Sequence, residues 1–267
     1  MSSSPGNRQA CGSILSSGAK GEGLFRIGTF NVRGLTSNFK KNQLISDLNK
    51  YRVGLCCLQE TKISEGYDGN IDNYRLLCLS SSCRHYGLGF VVEKQLLHRI
   101  YRYWQVSDRI AVLQLWLSGR TLCSFVNVYA PTSTRVAADH SCLDEFYNSL
   151  LETIQKLRSS SLLFLMGDFN AKLGKRPPSD CHSISYAGSH SRGHRNYSGQ
   201  TLADFASSNY LFACNTAFQH RAEHITTWTG WRHNPSGGPP LPIYNQIDYI
   251  LCRHSERFVV TDARSYA

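Results

Sequence analysis

Leu162-Leu163-Phe164-Leu165-Met166-Gly167-Asp168-Phe169-Asn170 runs five apolar residues into a glycine, a carboxylate and an amide. The apolar run has the length of a buried strand and is too short for a helix. The polar residues after it stand where a strand would meet its loop. Alone, Gly-Asp-Phe-Asn reads equally as a turn, because Asp and Asn favour local backbone hydrogen bonds. The same pattern recurs on both sides of it. Thr29-Phe30-Asn31-Val32-Arg33-Gly34, Leu58-Gln59-Glu60-Thr61-Lys62, Asn127-Val128-Tyr129-Ala130-Pro131 and Asn245-Gln246-Ile247-Asp248-Tyr249 each set polar groups at or beside a strand-like run.

Around these clusters the periodicity predicts strands over Leu24–Phe30, Val53–Leu58, Tyr74–Leu79, Gly87–Val92, Ala111–Leu117, Thr121–Tyr129, Leu211–Cys214, Thr226–Trp228 and Ile247–Cys252. Ser118-Gly119-Arg120 reads as a hairpin turn. Helices are expected over Lys40–Lys50, Leu143–Leu157 and Thr201–Ser208, where apolar residues recur at helical spacing. Lys175–Gln200 and Arg232–Pro242 read as loops. The first of them crowds His182, His190, Arg192, His194 and Arg195 without zinc spacing, which suits either a solvated loop or a DNA-contacting arm. Many short strands with few helices fit an α/β (α+β) fold, a sandwich of two mixed sheets flanked by helices. Met1–Gly23 reads as a flexible tail, and residues 24–267 as one domain.

Composition narrows the class. The 267 residues are 41% hydrophobic and 18% charged, with a net charge of +10. This is not a disordered chain, and its charge draws polyanions, nucleic acid first among them. No run is apolar enough to span a membrane, and the N-terminus is no secretory signal. The ten cysteines are irregularly spaced and several lie in apolar runs, which points to reduced thiols and an intracellular setting.

The residue types suit phosphodiester hydrolysis, which needs charge neutralised on the non-bridging oxygens and a directed nucleophile. Glu60 and Asp248 offer carboxylates to a hard cation, Mg²⁺ with Mn²⁺ as a substitute. Asn31 and Asn170 hold phosphate or metal-bound water without adding charge. Asp168 orients or deprotonates water, and Tyr129 donates to phosphate. A carboxylate flanked by apolar strand residues, as Asp248 is, is costly unless paired or metal-bound.

The ordered succession of these motifs, with Thr227-Trp228 before the last of them, resembles the endonuclease/exonuclease/phosphatase superfamily from Ile27 to the C-terminus. Thr201-Leu202-Ala203-Asp204-Phe205-Ala206 and Phe218-Gln219-His220-Arg221 resemble its non-LTR retrotransposon branch, whose apurinic-endonuclease-like domain nicks DNA to prime reverse transcription. The resemblance implies a four-layer sandwich. Glu60, Asn31 and Asp248 would serve the metal, Tyr129 the scissile phosphate, Asp168 the attacking water and Asn170 the phosphate or leaving group. Arg33, Lys62, Thr227 and Trp228 would lie along the DNA. It also implies a monomer acting on DNA in the nucleus, with a reverse transcriptase domain in a longer parent polyprotein. A phosphomonoesterase of the same superfamily and a non-cutting nucleic-acid binder are the alternatives. The family's Ser-Asp-His segment does not follow Thr261-Asp262-Ala263-Arg264-Ser265-Tyr266-Ala267. The last core strand is therefore expected to be missing, its neighbour exposed and the catalytic histidine absent.

Overall fold

A computed structural model describes residues 9–14, 25–117, 121–159, 161–176, 180, 182 and 184–266. In chain order its strands are β1 (Gln9–Ile14), β2 (Phe25–Asn31), β3 (Val53–Gln59), β4 (Tyr67–Ile71), β5 (Tyr74–Cys78), β6 (Leu88–Glu93), β7 (Ile100–Ser107), β8 (Ile110–Trp116), β9 (Leu122–Tyr129), β10 (Leu162–Asp168), β11 (Leu211–Ala213), β12 (Trp228–Arg232), β13 (Leu241–Asn245), β14 (Asp248–Arg253) and β15 (Val260–Tyr266). The α-helices are α1 (Asn38–Tyr51), α2 (Ser133–Ala138), α3 (Ser141–Gln155) and α4 (Tyr197–Ser208).

Among the described residues these strands make one sheet in the order β15-β1-β2-β3-β6-β5-β4, a second in the order β11-β14-β10-β9-β8-β7, and a separate β12-β13 hairpin. The pairs β2–β3 and β9–β10 are parallel and the others antiparallel. Side chains alternate between faces along each strand, so three core clusters stack through the molecule. Leu44, Ile45 and Leu48 of α1 pack on Val53, Cys56 and Leu58 of β3. Leu55 and Cys57, one residue out of phase, join Leu113, Phe125, Phe164 and Met166 of the second sheet. Val126, Leu163 and Leu165 on that sheet's outer face meet Phe146 and Leu150 of α3 and Leu202 of α4. The result is helix, sheet, sheet, helix, the expected four-layer sandwich. β3 is buried along its whole length, as its unbroken apolar run requires when both faces are covered.

Several elements depart from the sequence reading. Gln9–Ile14, read as part of a flexible tail, pairs antiparallel with both β2 and β15. Pairing with strands distant in sequence supplies order that local composition does not announce. β1 stands between β2 and β15 in the sheet. β4, β7, β13 and β15 were not anticipated. β4 and β7 are edge strands, mostly half-buried or exposed, and edge burial weakens the alternation on which strand prediction rests. The strand placed at Thr226–Trp228 begins only at Trp228, and α4 starts four residues before the predicted helix, with Asn196 capping it by accepting the Gly199 N–H. The proposed turn at Ser118-Gly119-Arg120 lies outside the described residues.

Candidate active site

Strand direction gathers the polar clusters. Parallel β2 and β3 deliver Asn31 and Glu60 at the same end of one sheet, and parallel β9 and β10 deliver Tyr129 and Asp168 at one end of the other. β14 runs antiparallel to β10, so its first residue, Asp248, stands directly opposite Asp168. Just beyond these strand ends, Arg33, Glu60, Lys62 and Asn170 all hold positive φ, at 50°, 52°, 56° and 47°. Non-glycine residues seldom adopt this conformation, and such strain gathers at sites where side-chain aim matters.

Asn31 joins the two sheets at this rim. Its Nδ2 donates to Glu60 Oε1 at 2.8 Å and to Asp168 Oδ2 at 3.0 Å. The Tyr129 hydroxyl donates to the same Glu60 oxygen at 2.9 Å, and Lys62 Nζ lies 3.1 Å from the other. Burial raises the proton affinity of Glu60, but the hydrogen bonds from Asn31, Lys62 and Tyr129 outweigh it and hold the carboxyl below its ordinary range. Asp168 goes the other way. Burial, reinforced by the charge of Glu60, pushes it up to about 6 against the hydrogen bonds from Asn31 and the Asn170 N–H. Burial and the facing Asp168 also raise Asp248 well above its ordinary value. Tyr129 is pushed up by burial and by Glu60 and Asp168, so its phenol stays protonated and donates. Asn170 Nδ2 donates to the Ala130 carbonyl at 2.9 Å and its N–H to Asp168 Oδ1 at 2.9 Å, which ties the loops after β9 and β10 together.

The endonuclease/exonuclease/phosphatase family profile matches residues 28–265, which spans every one of these groups. The chain belongs to that family. Its members are hydrolytic nucleases and phosphatases that generally depend on a divalent metal ion. Craniofacial development protein 2 from Tragulus javanicus is 28% identical over 241 residues, covering 90% of this chain and 39% of the relative, and its Bos taurus counterpart is 27% identical. The chain thus spans about two fifths of the length of the curated relatives it matches. Among solved structures, the AP endonuclease LMAP from Leishmania major superposes with a TM-score of 0.60 at 16% identity, covering 88% of this chain and 81% of that one. The 3'-5' exonuclease from Neisseria meningitidis gives 0.58 at 15%, covering 87% and 88%. The endonuclease domain of TRAS1, a telomere-specific non-LTR retrotransposon, gives 0.54 at 11%, covering 86% of each chain. At these identities the three establish the fold.

The donor set fits the family's divalent ion. Glu60 is held ionised, and two more carboxylates meet at the rim under a mutual repulsion that a cation would relieve. Among the described residues no three His, Cys, Asp or Glu side chains close around a point by themselves. No described histidine hydrogen-bonds any rim residue. His182 lies between Asp180 and Asp204, and His220 bonds Asp262 at 2.7 Å.

Other predicted residues fall in different places. Thr227, expected along the DNA, is 1% exposed and its Oγ1 accepts the N–H groups of Ile247 and Asp248 at 3.0 and 3.1 Å, so it braces the strand carrying Asp248. Trp228 is half-buried at the base of the hairpin, with its ring lying over Gly230, whereas Trp231 is 54% exposed. In the polar loop, Arg195 bonds Asp180 and Tyr186, and Arg192 stacks over Tyr244 at 5.2 Å.

Two features escaped the sequence reading. Beneath the rim, Gln59 Nε2 donates to Asn127 Oδ1 at 2.7 Å and to Thr29 Oγ1 at 3.0 Å, while Asn127 Nδ2 donates to the Leu58 and Gly89 carbonyls at 3.0 and 2.8 Å. This wholly buried network crosses between the sheets one residue below Glu60 and two below Tyr129. Both amides stand in the quoted motifs, and an amide inside an apolar strand was the available signal. The second feature is Arg109, whose guanidinium carbon lies 4.2 Å from the Tyr86 ring centroid and 5.3 Å from that of Tyr129, and which no local pattern marks.

Proposed function

We propose that this chain is a divalent-metal-dependent phosphodiester hydrolase that nicks DNA, of the retrotransposon endonuclease type. The observation that carries the reading is the Asn31 amide shared between Glu60 and Asp168, with the Tyr129 phenol on the same Glu60 oxygen. Glu60, Asn31 and Asp248 would hold the ion, Mg²⁺ or in its place Mn²⁺. When bound, it would neutralise charge on the non-bridging phosphate oxygens. With Glu60 engaged by the ion, Tyr129 would turn the phenolic proton it now donates to Glu60, and that burial keeps in place, to the scissile phosphate. Asp168, with a proton affinity near the working pH, accepts the proton of the attacking water. Asn170 steadies the phosphate or leaving group, and Arg33 and Lys62 add positive charge beside it.

The reading brings with it a monomer acting in the nucleus, within a longer parent polyprotein that carries a reverse transcriptase. No described helix is long and apolar enough to cross a membrane. Nicking of supercoiled plasmid at high protein concentration tests it. Nicked circles should accumulate with Mg²⁺, stop with EDTA, and vanish in Glu60→Gln. Nicking that survives both changes would come from elsewhere, and phosphate release from monoesters without any nicking would replace the endonuclease reading by the phosphomonoesterase one.

A further inference from the structure

Cys252 lies in β14 and stands opposite Phe212 across the β11–β14 pair. Cys214 follows Phe212 by two residues, so its side chain returns to the same face. Both thiols are buried in the core between the two sheets, and their sulfurs are 3.3 Å apart. Diagonal neighbours in a regular ladder stand too far apart to be bridged. Here β11 ends at Ala213 and Cys214 opens a tight turn, Cys214–Thr216, so the ladder's spacing no longer governs the pair.

Cys214 also lines a cavity of about 170 Å³ with Phe212, Ala217, Phe218, Arg257 and Val260. That is several times the share of liquid volume taken by one water, about 30 Å³, so a peroxide fits. The Arg257 guanidinium, 5.8 Å from the Phe212 ring centroid, belongs to the same lining. A cation beside a thiol favours the thiolate, which is the attacking species. Against it, the hydrogen bond with Cys252 and burial raise Cys214 well above the ordinary thiol range. The reaction is therefore slow, and the enclosed setting selects a small oxidant over a bulky disulfide.

We propose that Cys214 and Cys252 are an oxidisable pair, which a peroxide entering this cavity converts to an intramolecular disulfide and a dithiol reopens. The Cys214 thiolate attacks one oxygen of hydrogen peroxide, the O–O bond breaks, and Cys214 becomes a sulfenic acid as water leaves. The Cys252 sulfur then displaces the hydroxyl, which departs as a second water as the S–S bond forms. The two thiols give up two electrons and two protons, and the peroxide takes both. The bridge would tie the turn Cys214–Thr216 to β14. In that turn Asn215 already donates to the Asp248 carbonyl at 2.9 Å and accepts the Ile250 N–H at 3.3 Å. Oxidation thus fastens the piece that braces the strand carrying Asp248. The assignment does not depend on the nuclease reading.

Peptide mapping of the full chain tests it. Folded protein is treated with hydrogen peroxide, the peroxide is removed, and free thiols are blocked with N-ethylmaleimide in urea before digestion with trypsin. The peptide carrying Cys214 should be recovered joined to the one carrying Cys252, and dithiothreitol should part them. The oxidised chain should melt about 5 to 10 °C above the reduced one, as a cross-link between residues this far apart in sequence predicts, and Cys214→Ala should lose the shift. Blocked and unlinked Cys214 and Cys252, in a sample whose half-buried Cys83 has been oxidised, would overturn the proposal. So would linkage of either to another cysteine, or linkage formed only when urea accompanies the peroxide. The mapping is done on wild type, so it decides the matter even if Cys214→Ala does not fold. A linked chain that melts no higher than the reduced one would overturn the bracing of β14.

Discussion

Asp168 and Asp248 face each other across an antiparallel pair, 3% and 2% exposed. Neither carries an arginine or lysine partner within salt-bridge reach among the described residues, so the metal-free fold holds two carboxyls that resist ionisation. Folded Asp168 takes up its proton at about 6, against an ordinary value of 3.8. The folded state therefore binds more protons than the unfolded one between these values, and the Asp168 contribution is full below about pH 4 and lost as the pH rises through about 6. Asp168→Asn removes the charge and keeps the acceptor for the Asn31 amide, while giving up the one that takes the Asn170 N–H. In EDTA it should be more stable than wild type by about 2 to 3 kcal/mol at pH 7, with the advantage vanishing below about pH 4. Urea unfolding of both chains across that range measures it, and an advantage that does not change with pH would refute the buried-charge account. Added Mg²⁺ should close the gap by stabilising wild type more. At this scale much of the site was legible, because carboxylates and amides at strand ends are conspicuous in sequence. Arg109 was not, since its meaning comes from two tyrosines brought to it by other strands.

Among the elements, the closeness of β9 and β10 decides where Asp168 and Tyr129 stand. Gly167 pairs with Val128, and a Cβ built on Gly167 would lie 1.9 Å from the Val128 carbonyl oxygen. No rotamer relieves a clash with backbone, so the parallel pair must part or shear. Gly167→Ala should destabilise the fold by about 1 to 3 kcal/mol or more, and because Asp168 is the next residue, it should lower nicking beyond what lost stability explains. Denaturant unfolding together with nicking at a temperature where the variant is fully folded checks both halves. Wild-type values in both would show that β9 and β10 tolerate the wider spacing. The strands with strong apolar runs, such as β3 and β10, could be located from sequence within a residue or two. The edge strands could not, because a half-solvated edge has no consistent face to record.

For the molecule as a whole, the outstanding surprise is β1. A serine- and glycine-rich N-terminus gave no sign of a strand, yet Gln9–Ile14 joins β15 to β2 and completes the order of the first sheet. The register runs from Gln9 opposite Tyr266 on one side and from Ala10 opposite Thr29 on the other. Contacts that span nearly the entire chain leave no trace in a local window. Without β1, β15 would lose its strand partner in the sheet and β2, which carries Asn31, would gain an open edge, a liability for aggregation. Each ladder hydrogen bond is worth about 1 kcal/mol net, so removing the strand should cost several kcal/mol in all. Deleting residues 1–24 should therefore lower the denaturant midpoint and produce self-association at concentrations where the full chain stays monomeric, as read by light scattering. A truncated chain that unfolds at the full-length midpoint and remains monomeric would show that β1 contributes nothing to the sheet, and that the N-terminus is the loose tail its composition suggests.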